Sequence, residues 1–154
     1  MFNMKRAIIT FFSTGAYTGY SPVMPGTAGT VWGVIIAYLI SGATGLSQAL
    51  ITASITLISV PLAGETVRYT GKSDPAIIVI DEVSGFLISI FLIPFTAFNV
   101  ILVFILFRFF DILKPYPAGL IDRAVGGGPG VVLDDVAAGV YANIAAHLLI
   151  WFLR

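Results

Sequence analysis

Several apolar segments of this chain are each close to the length of a helix that crosses a membrane. They cover residues 30–43 (begun a few residues earlier), 46–64, 74–93, 95–110 and 134–153. A helix needs about 20 apolar residues to cross the hydrocarbon core. The segments are continuously apolar, whereas the strands of a membrane barrel would alternate. The pattern therefore predicts an all-α fold, a polytopic membrane helical bundle with four to five transmembrane helices.

Composition supports lipid as the solvent for much of this chain. Hydrophobic residues make up 58% of it and charged residues 10%, whereas soluble domains carry roughly 25% charged residues. The length suits one membrane-embedded domain over 1–154. The equal numbers of basic and acidic residues, eight each, argue against a nucleic-acid partner. The absence of cysteine excludes disulfides, thiolate nucleophiles and thiolate metal ligands.

The N-terminal stretch "MFNMKRAIITFF" imitates a signal peptide, with Lys5 and Arg6 before an apolar run. That run is only about seven residues long, and no convincing A-x-A cleavage site follows it. We therefore expect a short N-terminal interfacial or re-entrant helix in the mature protein. The sequence leaves open whether residues 7–25 span the membrane, re-enter it or lie on it.

The charges predict an orientation. With a cytoplasmic N-terminus, the loops near 44–47 and 94 face outward and carry no charge. All basic residues except Arg154 then lie inside, which follows the positive-inside rule. These inner basic residues are Lys5, Arg6, Arg68, Lys72, Arg108, Lys114 and Arg123. The acidic residues fall on the same side: Glu65, Asp74, Asp81, Glu82, Asp111, Asp122, Asp134 and Asp135. We expect any chemistry at this cytoplasmic face.

Two adjacent carboxylates, Asp81 and Glu82, are the sharpest functional signal. The run Ser73, Asp74 and Pro75 predicts a helix start, which places both carboxylates inside an apolar helix. A charge at the centre of a span costs at least about 2.5–3.5 kcal/mol. The alternative is a later helix start, with both residues solvated in the first turn and stabilised by the helix dipole. The apolar "AIIVI" before them favours a functional role.

Further carboxylates come from two other segments. Asp134 and Asp135 are predicted to begin the last span, where acidic residues are also ordinary dipole partners. In "RFFDILK", Arg108, Asp111 and Lys114 are spaced so that neighbours share a helix face, although a snorkelling basic anchor would give the same pattern.

Carboxylates from three segments, mixed with Arg and Lys, suggest a hard cation such as Mg²⁺. The predicted catalytic and metal-binding residues are Asp81, Glu82, Asp111, Asp134 and Asp135. A metal beside basic groups suits phosphate chemistry. In "IDRAVGGGPG", the glycine run after Arg123 predicts a flexible cytoplasmic loop that could close over a ligand.

Four ordered motifs resemble those of the phosphatidylglycerophosphatase A family, a bacterial inner-membrane lipid phosphatase. They are "SPVMPGTAGT", "DEVSGF", "FRFFDILKPYP" and "DRAVGGGPGVVLDDVAAGV", and the resemblance covers roughly residues 13–141. It implies Mg²⁺-dependent removal of the phosphomonoester of phosphatidylglycerophosphate, giving phosphatidylglycerol. The carboxylates named above fall in these motifs, as do the basic residues Arg108, Lys114 and Arg123. This chain has Gly126 where some relatives carry histidine.

Because the resemblance implies a substrate that bears a phosphate, a role can be predicted for the loop "SPVMPGTAG" at residues 21–29. A glycine-containing turn that opens into a helix N-terminus is a natural anion site. We therefore predict that phosphate is bound by Gly26, Thr27, Gly29, Thr30, Arg108, Lys114 and Arg123. A plain turn with a helix cap is the alternative for the loop.

Several alternatives remain open from sequence. Direct attack by a metal-activated water is the expected mechanism, and the lack of a D-x-D-x-T pattern ranks an aspartyl-phosphate intermediate lower. A cation- or proton-coupled transporter subunit would also use intramembrane carboxylates, although the charges cluster at one face and no internal repeat is present. The expected partners are a phospholipid substrate and membrane lipid. The sequence does not fix the number of metal ions or the oligomeric state, a homo-oligomer included.

Overall fold

The computed structural model describes residues 4–153, and within that range every regular element is helical. The helices are α1 (Met4–Ser13), α2 (Pro25–Ile40), α3 (Gly45–Thr70), α4 (Ile80–Ser89), α5 (Ala97–Leu113), α6 (Ala118–Ala124) and α7 (Gly127–Phe152), with a 3₁₀ turn at Thr18–Tyr20. The all-α prediction is confirmed. Arg154, predicted to lie on the outer side, falls outside the described residues.

Two helices are long and apolar enough to cross a membrane, α3 and α7, with 26 residues each. Helix α2 is apolar but has 16 residues, α5 has 17 and α4 only 10. At 1.5 Å per residue, α4 covers roughly 15 Å, about half of a hydrocarbon core. Length and composition therefore support a membrane bundle, but they do not confirm the predicted count of four to five transmembrane helices.

Helix α4 lies at the centre and packs against α2, α3, α5 and α7. Phe86 on α4 is fully buried, and its ring meets that of Phe107 on α5 edge-on, with 6.3 Å between ring centroids. The opposite face of α5 is exposed and apolar, as Ile101 and Ile105 show. An apolar outer face around a packed centre is the arrangement expected of a helix bundle in lipid.

Small residues set the closest helix contacts. Small residues that recur every four positions predict close helix contacts, and most of them are buried: Gly29, Gly33 and Ala37 on α2, and Ala138, Ala142 and Ala146 on α7. Ser41, which continues the α2 series, is exposed. A Cβ atom added at Gly33 would lie 2.9 Å from the Cβ atom of Phe86. The backbones of α2 and α4 therefore approach closely, as small residues permit.

The predicted helix start at Ser73 to Pro75 is wrong, because α4 begins at Ile80. The N–H of Val79 donates to the carbonyl of Ser13 instead of continuing a helix backwards, at 2.9 Å. This tertiary hydrogen bond overrides the local capping signal. Asp81 and Glu82 consequently stand in the first turn of α4, the position given by the alternative, but they are not solvated there, since Asp81 is buried and Glu82 half-buried.

The last helix begins at Gly127 and not at Asp134. The glycine run is therefore helical, and the prediction of a flexible loop is wrong. The cause is packing against α3, since a Cβ atom added at Gly128 would lie 2.6 Å from the backbone nitrogen of Gly64. Asp134 and Asp135 lie about two turns inside α7, where no free helix N–H groups are available to them.

Lys114 does not lie on the helix face that it was predicted to share with Asp111. It follows the last residue of α5 with φ 45°, in the left-handed region. Its side chain therefore points toward other elements, whereas Arg108 and Asp111 remain one turn apart on α5 and form an ion pair.

We expect Gly33→Ala to lower the thermal unfolding temperature of the purified protein in detergent. Overpacking against Phe86 should cost about 1–3 kcal/mol, which exceeds the gain of about 1 kcal/mol from replacing a helical glycine by alanine. Gly42→Ala is the matched control, because no atom lies within 4 Å of a Cβ atom added there. Equal unfolding temperatures for both variants would contradict the close contact.

Candidate metal and phosphate site

Three carboxylates from two helices meet at one end of α4. Asp81 and Glu82 come from its first turn and Asp135 from α7, and one carboxylate oxygen of each lies within 4.8 Å of the others. The crossing of α4 and α7 at two glycines brings them together. A Cβ atom added at Gly85 would lie 2.8 Å from the carbonyl oxygen of Asp135, and one at Gly139 would lie 2.5 Å from that of Gly85.

Of these three carboxylates, here called the acidic trio, Asp81 and Asp135 are buried and Glu82 is half-buried, and each has one oxygen without a hydrogen-bond partner among the described residues. Asp81 is 8% exposed and Asp135 4% exposed. Oδ1 of Asp81, Oε2 of Glu82 and Oδ2 of Asp135 have no hydrogen-bond partner among the described residues. A buried polar group without a partner costs about 1–3 kcal/mol, more when charged. An oxygen-only, buried and mutually repelling donor set fits a hard divalent cation such as Mg²⁺.

Arg108 lies beside the acidic trio. Its Nη1 atom is 2.6 Å from Oδ2 of Asp111 and 3.9 Å from Oε1 of Glu82. The same atom is buried and makes no aligned hydrogen bond within the described part of the chain. Arg108 is therefore paired with Asp111 and at the same time places its positive charge next to Glu82.

Lys114 holds Asp134 outside the acidic trio. Its Nζ atom donates to Oδ2 of Asp134 at 2.6 Å and to Oδ1 of Asp122 at 2.7 Å. The backbone N–H of Asp135 occupies the other oxygen of Asp134 at 3.0 Å. Burial alone would lower the pKa of Lys114, but the hydrogen bonds to Asp122 and Asp134 raise it above the usual lysine value. The ammonium group therefore stays protonated.

The five carboxylates predicted as one set thus divide. Asp81, Glu82 and Asp135 form the acidic trio, whereas Asp111 pairs with Arg108 and Asp134 with Lys114. A direct metal-binding role stays a prediction for the first group. The geometry gives the other two carboxylates cationic partners instead.

The start of α2 forms a second wall of this site. A Cβ atom added at Gly26 would lie 3.0 Å from Nη1 of Arg108, and one at Gly29 would lie 3.2 Å from the Cβ atom of Glu82. The hydroxyl of Thr27 is buried without a hydrogen-bond partner among residues 4–153. The hydroxyl of Thr30 donates to the Gly26 carbonyl of its own helix at 3.0 Å, so it is already engaged.

Arg123 does not join the other predicted phosphate ligands. It lies on α6, where it is exposed, and it forms no ion pair with the described residues. Lys114 is close to the site but engaged by two carboxylates. The structure thus brings Arg108, Gly26 and Gly29 to the acidic trio, with Thr27 between the two glycines in the first turn of α2.

Sequence reasoning missed two buried hydroxyl pairs that fix the start of α4. The hydroxyls of Ser59 on α3 and Ser84 on α4 lie 2.9 Å apart. The hydroxyl of Thr66 donates to that of Ser13 at 2.8 Å, next to the hydrogen bond between Ser13 and Val79. The available signal was a small polar residue inside an apolar run, which commonly joins helices in membranes.

The comparisons with known proteins agree on one family. The family model for phosphatidylglycerophosphatase A matches residues 11–150. The phosphatidylglycerophosphatase A of Haemophilus influenzae is 35% identical over 147 residues, covering 94% of this chain and 90% of that protein. The Escherichia coli K12 protein of the same name is 33% identical over 129 residues, covering 83% of this chain and 75% of its own length.

A third relative has a different name. A Bacteroides thetaiotaomicron protein named "Putative phosphatidylinositol-3-phosphatase" is 34% identical over 160 residues, covering 97% of this chain and 99% of its own length. No solved structure matches the chain.

We expect Asp135→Asn to weaken binding of Mn²⁺, a paramagnetic substitute for Mg²⁺, by at least about tenfold, because it removes one of the three clustered charges. The free Mn²⁺ signal in electron paramagnetic resonance titrations measures the affinity. Glu65→Gln is the control, since Glu65 pairs with the exposed Arg68 on α3, outside the acidic trio. Unchanged Mn²⁺ binding in Asp135→Asn would contradict a cation site here.

We expect Lys114→Met to lower stability by about 1–3 kcal/mol, since it leaves the buried Asp134 unpaired, and Lys114→Arg to lower it less. The raised pKa of Lys114 fixes the pH dependence. The stability that the protonated Lys114 contributes to the folded protein is fully present below the usual lysine pKa. It is lost only as the pH rises through the raised pKa. The difference in unfolding temperature between wild type and Lys114→Met should therefore stay constant from about pH 7 to about pH 9. A difference that vanishes within that range would contradict the pairing.

Proposed function

The chain belongs to the phosphatidylglycerophosphatase A family, and from this we propose that it hydrolyses phosphatidylglycerophosphate to phosphatidylglycerol and phosphate. The family membership makes it a phosphatase, and the named reaction assigns it to phospholipid biosynthesis. The observation that supports this activity best is the acidic trio, two of its members buried, beside the guanidinium of Arg108.

That combination is complementary to a phosphomonoester. The terminal phosphate carries up to two negative charges, so a cation and hydrogen-bond donors would both stabilise it. Arg108 offers its guanidinium 3.9 Å from Glu82. The first turn of α2, where Gly26 approaches Arg108, offers backbone N–H donors, and it carries the unpartnered hydroxyl of Thr27.

Asp81, Glu82 and Asp135 are the residues that would hold Mg²⁺. When bound, this ion would neutralise phosphate oxygens and make water more acidic. The number of ions is not part of the proposal. The donor chemistry, oxygen alone with no sulfur or imidazole in the cluster of described residues, supports Mg²⁺ over softer metals.

The chain's own residues would carry the rest of the reaction. Arg108 donates to the phosphoryl oxygens as negative charge develops there. A water oxygen forms the new bond to phosphorus, while the bond from phosphorus to the glycerol oxygen breaks and that oxygen takes up a proton from solvent. Asp111 is our candidate for accepting the proton of the water, because its contact with Arg108 at 2.6 Å places a carboxylate outside the acidic trio beside the guanidinium that would bind the phosphate.

We propose a location in the bacterial inner membrane, with several spans and the site at the cytoplasmic face. The support is the positive-inside pattern of the sequence, together with two helices of spanning length. Arg108 and Lys114 also gather with the carboxylates at one end of α4. The alternative of a transporter subunit gains no support from the family.

We expect the purified protein to release phosphate from phosphatidylglycerophosphate in mixed micelles only when Mg²⁺ is present. Glu82→Gln and Asp135→Asn should each lower kcat/KM by at least about 100-fold, which corresponds to about 2.7 kcal/mol of transition-state stabilisation. Asp74→Asn is the matched control, because Asp74 is exposed and precedes α4.

Two outcomes would overturn the proposal: release that does not depend on Mg²⁺, or full activity in both acidic-trio variants. A parallel assay with phosphatidylinositol 3-phosphate tests the substrate suggested by the name of the Bacteroides relative. If kcat/KM is higher on phosphatidylinositol 3-phosphate, that lipid replaces phosphatidylglycerophosphate as the proposed substrate.

A further inference from the structure

The first elements of the chain expose an unusual amount of apolar surface. Eight large apolar side chains of residues 4–24 are between 41% and 71% exposed: Met4, Ile8, Phe11, Phe12, Tyr17, Tyr20, Val23 and Met24. We call them the N-terminal surface. We propose that the N-terminal surface lies flat in the membrane interface and contacts anionic phospholipid, which sets the depth of the candidate site.

The length of α1 excludes a span. Its ten residues cover roughly 15 Å, about half of the hydrocarbon core. The chain then reverses at Gly15, Ala16 and Tyr17, which all have positive φ. The apolar residues of this segment therefore cannot reach across the membrane.

The backbone excludes a re-entrant loop in contact with lipid. Residues 21–24 are not helical, and Val23 and Met24 are 69% and 63% exposed. Irregular backbone that faces lipid does not occur within the hydrocarbon region, because its N–H and C=O groups would lack partners there. In the interface, water and headgroups satisfy these groups while the side chains reach the acyl boundary.

Charge complementarity selects anionic lipid. Lys5 and Arg6 stand in the first turn of α1 with exposed side chains, and the guanidinium of Arg6 also lies over the Tyr69 ring of α3, 5.0 Å from its centroid. Basic residues beside aromatic and aliphatic side chains are typical of helices that lie on anionic membranes. Tyr17 and Tyr20 are of the residue type enriched at membrane interfaces.

The N-terminal surface is attached directly to the wall of the site. Ser13, the last residue of α1, accepts hydrogen bonds from Thr66 at 2.8 Å and from the Val79 N–H at 2.9 Å, two residues before Asp81. Met24 ends the surface and caps α2, whose next residues face Glu82. If the proposed function holds, an interfacial surface at this place holds the acidic trio at the level of the lipid phosphates.

Spin labelling tests the location directly, because the chain has no cysteine to remove. Single cysteines replace Phe12, Tyr20 or Val23 in the full chain, reconstituted in vesicles of phosphatidylglycerol and phosphatidylethanolamine. The depth of each label follows from the ratio of its accessibility to oxygen, which concentrates in the bilayer, to its accessibility to a water-soluble nickel complex. We expect all three at the headgroup and acyl boundary, and a control label at the exposed Lys72 in water. Labels at Phe12 and Val23 that match Lys72, or that lie at the bilayer centre, would overturn the inference.

A charge variant tests the choice of lipid. Lys5→Gln combined with Arg6→Gln should move the Phe12 label outward in vesicles containing phosphatidylglycerol, and should leave it unchanged in vesicles of phosphatidylcholine alone. An identical depth in both lipids for the variant and its parent would overturn the preference for anionic lipid.

An activity measurement connects the surface to the site. Phe12→Ser combined with Tyr20→Ser should lower kcat/KM severalfold on long-chain phosphatidylglycerophosphate in vesicles, with little effect on a water-soluble short-chain analogue. Equal loss on both substrates would overturn the depth role. If the labels lie at the interface but the protein has no phosphatase activity, the location of the N-terminal surface is supported and the proposed function is refuted. If the protein is active but the labels lie in water, the proposed function is supported and the inferred location is refuted.

Discussion

The contact between α4 and α7 at Gly85 and Gly139 is the constraint on which the site depends. Neither glycine has room for a side chain, since an added Cβ atom would lie 2.5–2.8 Å from backbone of the other helix. Because the two helices approach so closely, Asp135 on α7 lies beside the first turn of α4. A larger residue at either glycine would separate the helices and disperse the acidic trio, although the residues that bear charge would be unchanged.

The buried charges show how the bundle accommodates acidic groups inside an apolar fold. Asp134 is matched by Lys114 at 2.6 Å and Asp111 by Arg108 at 2.6 Å. The acidic trio is the exception, because among the described residues only Glu82 has a basic neighbour, with Nη1 of Arg108 at 3.9 Å. Removing a partner from a buried ion pair costs several kcal/mol. A group of buried carboxylates without sufficient positive charge therefore indicates a cationic ligand better than the total number of carboxylates does.

The differences from the sequence predictions arise where a distant contact competes with a local signal. The capping residues at 73–75 predicted a helix start, but the Val79 N–H bonds to Ser13, and α4 starts later. The glycine run from Gly126 predicted a flexible loop, but contact with Gly64 makes it helical. The outcome of both local signals depended on partners more than 60 residues away in sequence.

The sequence by itself determined the helical class, the stripes of small residues, the family and the candidate residues for the site. These follow from hydropathy, residue size and ordered motifs, which are local properties of the chain. Only the tertiary structure decided which carboxylates meet, because that depends on helix register and on which cation each one reaches. The same reason explains why Arg123 and Thr30 resemble phosphate ligands in sequence, yet one lies on an exposed helix and the other bonds to its own backbone.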